Sequence, residues 1–285
     1  MVMKNNPLVS VIIPNYNYAR YLKEAIMSVQ VQTYSNTEII VVNNGSTDDS
    51  LHLLQQFGSQ IILIDQENLG QAGARNSGLK VAKGDLIAFL DADDLWQNDK
   101  LEKQMRLITS ETELVYSGIT RFRDVSGRVE SVLFPQFKGD CHHYFTDLTA
   151  VSIVLSGEST SLFTRNLLDL VGNFDPELNS SSGWDFFRRC SILTNFDFVP
   201  EPLTNYRLHS SNMSNSSLNN IRDIRKAYRK LFSDHLWKLS ADQKKRIVMR
   251  LEISFLKTYV REKHFYLAFI TLFRFVNRND YGDTA

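Results

Sequence analysis

The sequence predicts an α/β protein whose mostly parallel sheet presents a ligand site at the carboxyl ends of its strands. Three observations carry this. Residues 8–13, 39–42, 61–64 and 86–90 are short apolar runs, the length of strands buried on both faces. The segments between them, 21–30, 48–57 and 70–82, space apolar residues as a helix does, as with Leu51, Leu54 and Phe57. The unusual polar residues then fall where strands end. Pro14-Asn15-Tyr16-Asn17 follows the first strand, Asn43-Asn44-Gly45-Ser46-Thr47-Asp48 the second and Asp91-Ala92-Asp93-Asp94 the fourth. In a parallel sheet all three clusters meet at one edge, where such sheets bind ligands.

Each element has a local cause. Ser46, three residues ahead of Asp49, reads as a helix start whose hydroxyl caps open amides. After Asp99 a helix is expected to about Thr109, then a strand over 114–117 and a hairpin turn at 124–127. Residues 146–155 read as helix, and 166–171 as a short helix stopped by Gly172. Two strands, 196–199 and 203–208, are bounded by prolines, and 210–220 is a Ser/Asn-rich linker. Beyond it 221–236, 241–259 and 265–276 have helical period. A domain edge is placed near residue 215, dividing 1–215 from a helical C-terminal extension over 216–285.

Composition sets outer limits. The 285 residues, 43% of them hydrophobic, can bury a core large enough for one domain, or one plus an appendage. With 22% charged residues and only 13 Gly and 6 Pro, a disordered or fibrous chain is excluded. The 32 basic and 32 acidic residues cancel, but from Asn220 onward there are 15 basic against 7 acidic ones. That asymmetry points to a surface contact made by the tail. Two cysteines, Cys141 and Cys190, make no disulfide framework, and no apolar leader is read at the N-terminus, so a cytoplasmic location is expected. The most apolar late stretch, 265–276, is too short to span a bilayer and carries Arg274.

The acidic cluster is the sharpest chemical signal. Three carboxylates in four residues, Asp91, Asp93 and Asp94, repel one another unless something offsets the charge. An isolated Asp-x-Asp reads as a solvated turn. One directly after a buried strand reads as a cation site, with hard oxygen ligands favouring Mg²⁺ or Mn²⁺. Arg75 lies among the small residues Gly70, Ala72, Gly73 and Ala74, and can clamp a base carbonyl or a phosphate; its plainer reading is a surface helix arginine. Tyr16 can stack on a base or simply pack over the sheet edge. His209 ends a strand just before the polar linker, which suits a metal or phosphate contact. Asp185, after Trp184, is either a reactive carboxylate or a helix-start charge, and Glu158 either lines an acceptor site or caps a turn.

These residues resemble the family 2 glycosyltransferases, inverting enzymes of the GT-A fold. The resemblance rests on Val11-Ile12-Ile13-Pro14-Asn15-Tyr16-Asn17, Val42-Asn43-Asn44-Gly45-Ser46-Thr47-Asp48, Asn68-Leu69-Gly70, Ala74-Arg75-Asn76-Ser77-Gly78 and Phe89-Leu90-Asp91-Ala92-Asp93-Asp94. It continues loosely through Gly172-Asn173-Phe174-Asp175, Trp184-Asp185 and Tyr206-Arg207-Leu208-His209. It implies a Rossmann-like mixed sheet flanked by helices, a nucleotide-sugar donor (a UDP-sugar in the first instance) and a divalent metal, Mn²⁺ or Mg²⁺. By position, Pro14, Tyr16, Asn17 and Asn44 would line the nucleotide, Arg75 would meet base or diphosphate and Asp91 the ribose. Asp93 and His209 would hold the metal. Two departures stand out. Asn44 occupies a position where the family usually has Asp, which leaves the base open. Ser182-Gly183 replaces the family's acidic pair before Trp-Asp, whose second member serves as base.

Asp185 is therefore the expected general base, with Glu158 second. It would act if 180–183 is extended, and would turn away if a helix already begins there. The expected reaction is transfer of a sugar to an acceptor hydroxyl with inversion, in bacterial polysaccharide or glycoconjugate synthesis. The acceptor would be a saccharide or lipid-linked saccharide. A nucleotide-sugar-binding relative of low activity is the alternative. No Gly-x-Gly-x-x-Gly follows the first strand, which argues against a dinucleotide enzyme. The basic tail, with Arg222, Arg225, Lys226, Arg229 and Lys230 at helical spacing, is expected to touch an anionic membrane surface or form a dimer. Nucleic acid is not expected, because no aromatic-basic platform accompanies the charge.

Overall fold

The computed structural model of the protein describes residues 6–145, 157–212 and 217–276. Four strands, β1 (Val9–Asn15), β2 (Thr37–Asn44), β3 (Ile62–Gln66) and β4 (Leu86–Phe89), lie parallel in the order β3-β2-β1-β4. They are linked by α1 (Ala19–Gln30), α2 (Ser50–Gln55) and α3 (Gly70–Val81). The sheet continues through β8 (Leu162–Thr164), β6 (Leu114–Arg123), β9 (Phe196–Leu208) and β5 (Leu95–Trp96), with β7 (Val129–Leu133) hairpinned to β6. β8 runs antiparallel to both β4 and β6, whereas β6 and β9 are parallel, so the sheet is mixed as the family resemblance implied.

Period-two alternation builds two cores. Val9, Val11 and Ile13 of β1 face one side with Ile39 and Val41 of β2, under Leu22 and Ile26 of α1. Ile12, Ile40, Val42, Ile87 and Phe89 face the other side, with Ala72 and Ala74 of α3 and Phe186 of α6 (Ser182–Leu193). Both faces being covered is what makes these strands read as unbroken apolar runs. Two shorter helices complete the frame, α4 (Lys100–Met105) and α5 (Arg165–Val171). Thr164 caps α5 by accepting from the Leu167 amide at 3.1 Å, and Gly172 ends it at φ 80°.

Beyond the linker come α7 (Ser217–Ser233), α8 (Ala241–Arg261) and α9 (Phe265–Val276). Their apolar stripes are not self-contained. Ile221, Tyr228 and Leu231 of α7, Trp237, and Ile247, Leu251, Phe255 and Tyr259 of α8 join the core beneath α6. Polar ties reinforce it: Asp223 accepts from the Asn179 and Ser181 amides and the Ser180 hydroxyl, holding the loop that enters α6.

Several local expectations change. Ser46 does not cap α2; its hydroxyl accepts from Asn17 N at 3.0 Å and Asn15 Nδ2 at 3.1 Å, while Asp48 meets the Ser50 amide. α4 stops at Met105 rather than near Thr109. The two strands expected at 196–199 and 203–208 are one, β9, kept continuous by register shifts opposite Ser117–Ile119 that absorb Pro200 and Pro202. The helix expected over 146–155 lies outside the described residues.

Candidate active site

The acidic turn after β4 is brought against the end of β9. Asp93 Oδ2 lies 2.9 Å from His209 Nε2, across 116 residues of sequence, and the His209 Nδ1 faces Ser211 Oγ at 2.9 Å. Asn212 closes the group, with Nδ2 3.5 Å from Asp93 Oδ2 and Oδ1 accepting from the His209 amide. Tyr21 and Tyr18 flank the imidazole at ring separations of 5.0 and 5.6 Å, so the ring is held by packing as well as hydrogen bonds. Burial pushes the Tyr18 hydroxyl well above its ordinary range, with Asp93 and Asp91 adding to it.

Arg207 is the anchor beneath. Its backbone amide donates to Asp94 Oδ1 at 3.3 Å and its Nε to the Asp93 carbonyl at 3.0 Å. The guanidinium also reaches Asp124 and Glu24 and lies between the Tyr21 and Phe122 rings, 4.8 and 4.9 Å from their centroids. Burial, together with Asp93 and Asp91, pushes the Asp94 carboxyl well above the usual carboxylate range. The crowding of three carboxyls is thus met in three ways: Asp93 faces His209, Asp94 is driven toward its neutral form, and Asp91 faces Arg75.

In that last pairing Arg75 is buried and Asp91 half-buried. Arg75, 1% exposed on α3, sits 3.0 Å from Asp91 Oδ1 through Nη2 and 2.8 Å from Glu158 Oε1 through Nη1, with its guanidinium carbon 5.4 Å from the Phe174 ring. Burial pushes the Asp91 carboxyl up to about 6; Arg75 opposes this, while Glu158 and Asp93 add to it. The turn carrying Glu158, Gly157–Thr160, is fixed by Ser159, whose hydroxyl accepts from the Asp91 amide and whose carbonyl accepts from Trp96 Nε1. The surface-arginine reading of Arg75 is therefore replaced by a buried clamp.

The nucleotide side is less uniform. Tyr16, 46% exposed, projects from the end of β1, and Pro14 lies half-buried in that strand. Asn17 adopts φ 60°, and its side-chain oxygen accepts from the Thr47 and Asp48 amides. Through that oxygen it staples the two loops. Asn44 is spent in the same way. Its Nδ2 donates to Asn68 Oδ1 and the Gly70 carbonyl, and its Oδ1 accepts from Gln66 Nε2 and the Leu69 amide. The side-chain amide expected to line the nucleotide is thus already engaged through both of its polar atoms. Gly45 beside it needs its φ of 75°, and a Cβ there would lie 2.7 Å from the Asn68 amide nitrogen.

Asp185 is not brought into the cluster. A helix already begins at Ser182, and Asp185, 3% exposed, gives one oxygen to Arg188 at 2.8 Å and the other to Arg189 at 2.9 Å. Arg188 goes on to Asp234 at 2.9 Å and Trp237. The assignment of the base to Asp185 is corrected on this ground: both oxygens are committed to tying α6 to its surroundings. Sequence reading gave no role to Asn212, Tyr18, Tyr21 or Arg207, although Arg207 lies within the Tyr206-Arg207-Leu208-His209 match. Only their closeness to His209 in sequence, or a place on the first helix, could have drawn attention to them.

As ligands, Asp93 and His209 offer one carboxylate and one imidazole. No group of three or more His, Cys, Asp or Glu side chains gathers at a metal-sized spot among the described residues. A carboxylate and an imidazole are ligand types that could together hold an Mg²⁺- or Mn²⁺-type ion.

The comparisons agree with this architecture. The profile described as "Glycosyl transferase family 2" matches residues 10–165. An uncharacterized glycosyltransferase of Rickettsia prowazekii is 32% identical over 85% of this chain and 76% of its own length. Among solved structures, S. aureus TarS 1–349 in complex with UDP-GlcNAc gives a TM-score of 0.64 at 17% identity, covering 96% of this chain and 93% of that one. The mannosyltransferase PcManGT from Pyrobaculum calidifontis, in complex with GDP-Man and Mn²⁺, gives 0.60 at 16% identity, covering 94% and 81%. The solved structures speak to a shared GT-A fold, and the profile and the Rickettsia relative show that this chain is a glycosyltransferase belonging to glycosyl transferase family 2.

Proposed function

We propose that the chain transfers a sugar from a nucleoside diphosphate donor to an acceptor hydroxyl, with inversion, and that donor binding requires a divalent cation. The observation that carries this reading is the approach of Asp93 to His209 within 2.9 Å at the carboxyl ends of the parallel strands. Two ligand-type side chains converge there next to the Arg75–Asp91 pair. A cation held by Asp93 and His209 would supply positive charge against the diphosphate as it leaves. Arg75 orients Asp91 toward the ribose, Tyr16 offers a ring face to the base, and Pro14 shapes the wall beside it. Because Asn44 is internally bonded, recognition of the base falls to other groups, and UDP- and GDP-sugars are both admitted as donors.

The test is calorimetric binding of UDP and GDP with Mn²⁺ and with chelator. Metal-dependent binding by the wild type supports the reading, and binding that chelator leaves unchanged refutes it. A second reading, a donor-binding relative of low activity, draws on two facts. Gly183 has no side chain to act as base, and Asp185 is held by two arginines.

For the acceptor, we infer a saccharide or lipid-linked saccharide of bacterial polysaccharide or glycoconjugate synthesis, met at a membrane surface. The outward side of α8 carries Arg246, Arg250, Lys257 and Arg261, all exposed. α9 exposes Phe265 at 65%, Tyr266 at 76%, Phe269 at 65% and Leu272 at 48%. No described helix is long and apolar enough to cross a membrane. A basic face beside an aromatic one suits an anionic lipid surface from the cytoplasmic side. A homodimer through the same helices is the competing outcome.

A further inference from the structure

We propose that Glu158 is the carboxylate that takes the proton from the acceptor hydroxyl, and that Gly183 is a glycine because Glu158 occupies the place of its side chain. This rests on the transferase reading above. Glu158 is 6% exposed, yet its Oε1 finds no hydrogen-bond donor in good geometry. Arg75 Nη1 lies 2.8 Å from it, near enough to neutralise the charge without directing a proton at the lone pair. A buried carboxylate oxygen with no directed donor is rare and costly, and such exceptions call for an explanation.

The oxygen is aimed at the start of α6. A Cβ built on Gly183 would lie 2.5 Å from Glu158 Oε1, 2.9 Å from its Cδ and 3.0 Å from Oε2. A side chain at 183 therefore enters only if the Glu158 carboxylate is pushed aside, away from its place beside Arg75. The amino end of the twelve-residue α6 carries partial positive charge, which favours an ionised carboxylate beside it. The nearby alternatives are committed elsewhere. Asp185 is bound by Arg188 and Arg189, Asp223 by backbone amides of the loop before α6, and Asp234 by Arg188.

Position completes the case. Glu158 and Asp91 grip opposite nitrogens of one guanidinium, so the base stands one arginine away from the donor's ribose contact. In the step, the acceptor oxygen bonds to the anomeric carbon and its proton passes to Glu158. The bond from the anomeric carbon to the diphosphate oxygen breaks, and its electron pair leaves with the diphosphate. Glu158 then returns the proton to water.

The experiment compares wild type with Glu158→Gln, Glu158→Ala, Gly183→Asp and the double variant Glu158→Ala/Gly183→Asp. Mn²⁺-dependent binding of UDP and GDP is measured by calorimetry. Turnover is measured as nucleoside diphosphate release from UDP-glucose, UDP-GlcNAc and GDP-mannose, with water as acceptor. Glu158→Gln should keep nucleotide affinity within about threefold and lose on the order of 10²–10⁴ in turnover. Gly183→Asp should impair turnover, because its carboxylate collides with the resident one. The double variant should recover at least about tenfold over Glu158→Ala alone, since the carboxylate is then supplied from the other side of the same space. If Glu158→Gln does not fold, the double variant against Glu158→Ala decides.

Turnover by Glu158→Gln within about threefold of wild type would overturn the assignment, as would a parallel loss of nucleotide binding, which would make Glu158 only a support for Arg75. A wild type that binds nucleotide but releases none from any donor would overturn it as well. A wild type that binds neither UDP nor GDP would instead remove the donor reading, and this assignment with it.

Discussion

Replacing Arg75 by Met tests the electrostatic frame of the site directly. The guanidinium is 1% exposed and lies between Asp91 and Glu158. Methionine fills much of the volume but leaves two carboxylates facing each other. Breaking a buried ion pair by removing one partner costs about 3–5 kcal/mol. The Asp91 side chain keeps 28% of its exposure, so solvent softens one of the two contacts and the lower end, about 3 kcal/mol, is expected. For a chain of this size that is a fall in melting temperature of roughly 6–12 °C.

The pH dependence gives the sharper signature. Without Arg75 the Asp91 carboxyl loses the charge that opposes its upward shift, so it titrates higher still in the folded chain than in the unfolded one. The folded state then holds more protons, and stability falls as pH rises through the carboxylate range. The deficit relative to wild type should therefore be larger near pH ~8 than near pH ~5 in thermal melts with chelator present. Adding Glu158→Gln should restore about half of it by removing one of the two charges. A deficit equal at both pH values, or one that Glu158→Gln deepens, would show that Arg75 acts through packing on Phe174 instead.

Further outcomes follow from single residues. Asp93→Ala should abolish the metal-dependent part of UDP and GDP binding in calorimetry, and retained chelator-sensitive binding would remove Asp93 from the metal pair. Asp94→Asn should raise the melting temperature, more at alkaline than at acidic pH. Burial lifts the Asp94 carboxyl in the folded chain, so the native state loses stability as pH rises and the carboxyl ionises, a loss that the amide avoids. Thr164→Ala removes both the α5 cap and a 2.8 Å bond to Glu113, and should cost about 1–2 kcal/mol in denaturant unfolding. Flotation with phosphatidylglycerol vesicles at low salt should carry the wild type upward, and Phe265→Ser/Phe269→Ser should stay down. Concentration-dependent dimerisation without flotation would assign those helices to self-association.

Much of the fold was legible because its causes are local. The four parallel strands announce themselves as apolar runs, since both of their faces are buried. Gly172, at φ 80°, marks the end of α5 by backbone chemistry alone. The mixed part of the sheet was visible only through resemblance, because the pairing of β6 with both β8 and β9 depends on partners far away in sequence.

The site divided along the same line. Residue types suited to a metal, Asp93 and His209, stood out at strand ends. The commitments of Asn44, Asn17 and Asp185 did not, because a side chain's hydrogen bonds depend on what folds against it. Asn44 looked available until Gln66, Asn68, Leu69 and Gly70 were seen around it. Gly183 looked like a loss until Glu158 was seen beside it.

The bridge from Asp93 to His209 also bears on when this protein becomes competent. The two residues are 116 positions apart, and what joins them is the docking of β9 beside β6 and the grip of Arg207 on the turn after β4. Closing such a span carries a loop-closure cost that the assembled sheet offsets. A chain in which β9 is not docked has the carboxylate but not the imidazole, and a ligand that needs both selects the completed sheet. Donor and cation, bound as proposed, would then act as a latch on β9. Saturation at a hundred times the dissociation constant adds about 2.7 kcal/mol to the finished fold and nothing to its precursors.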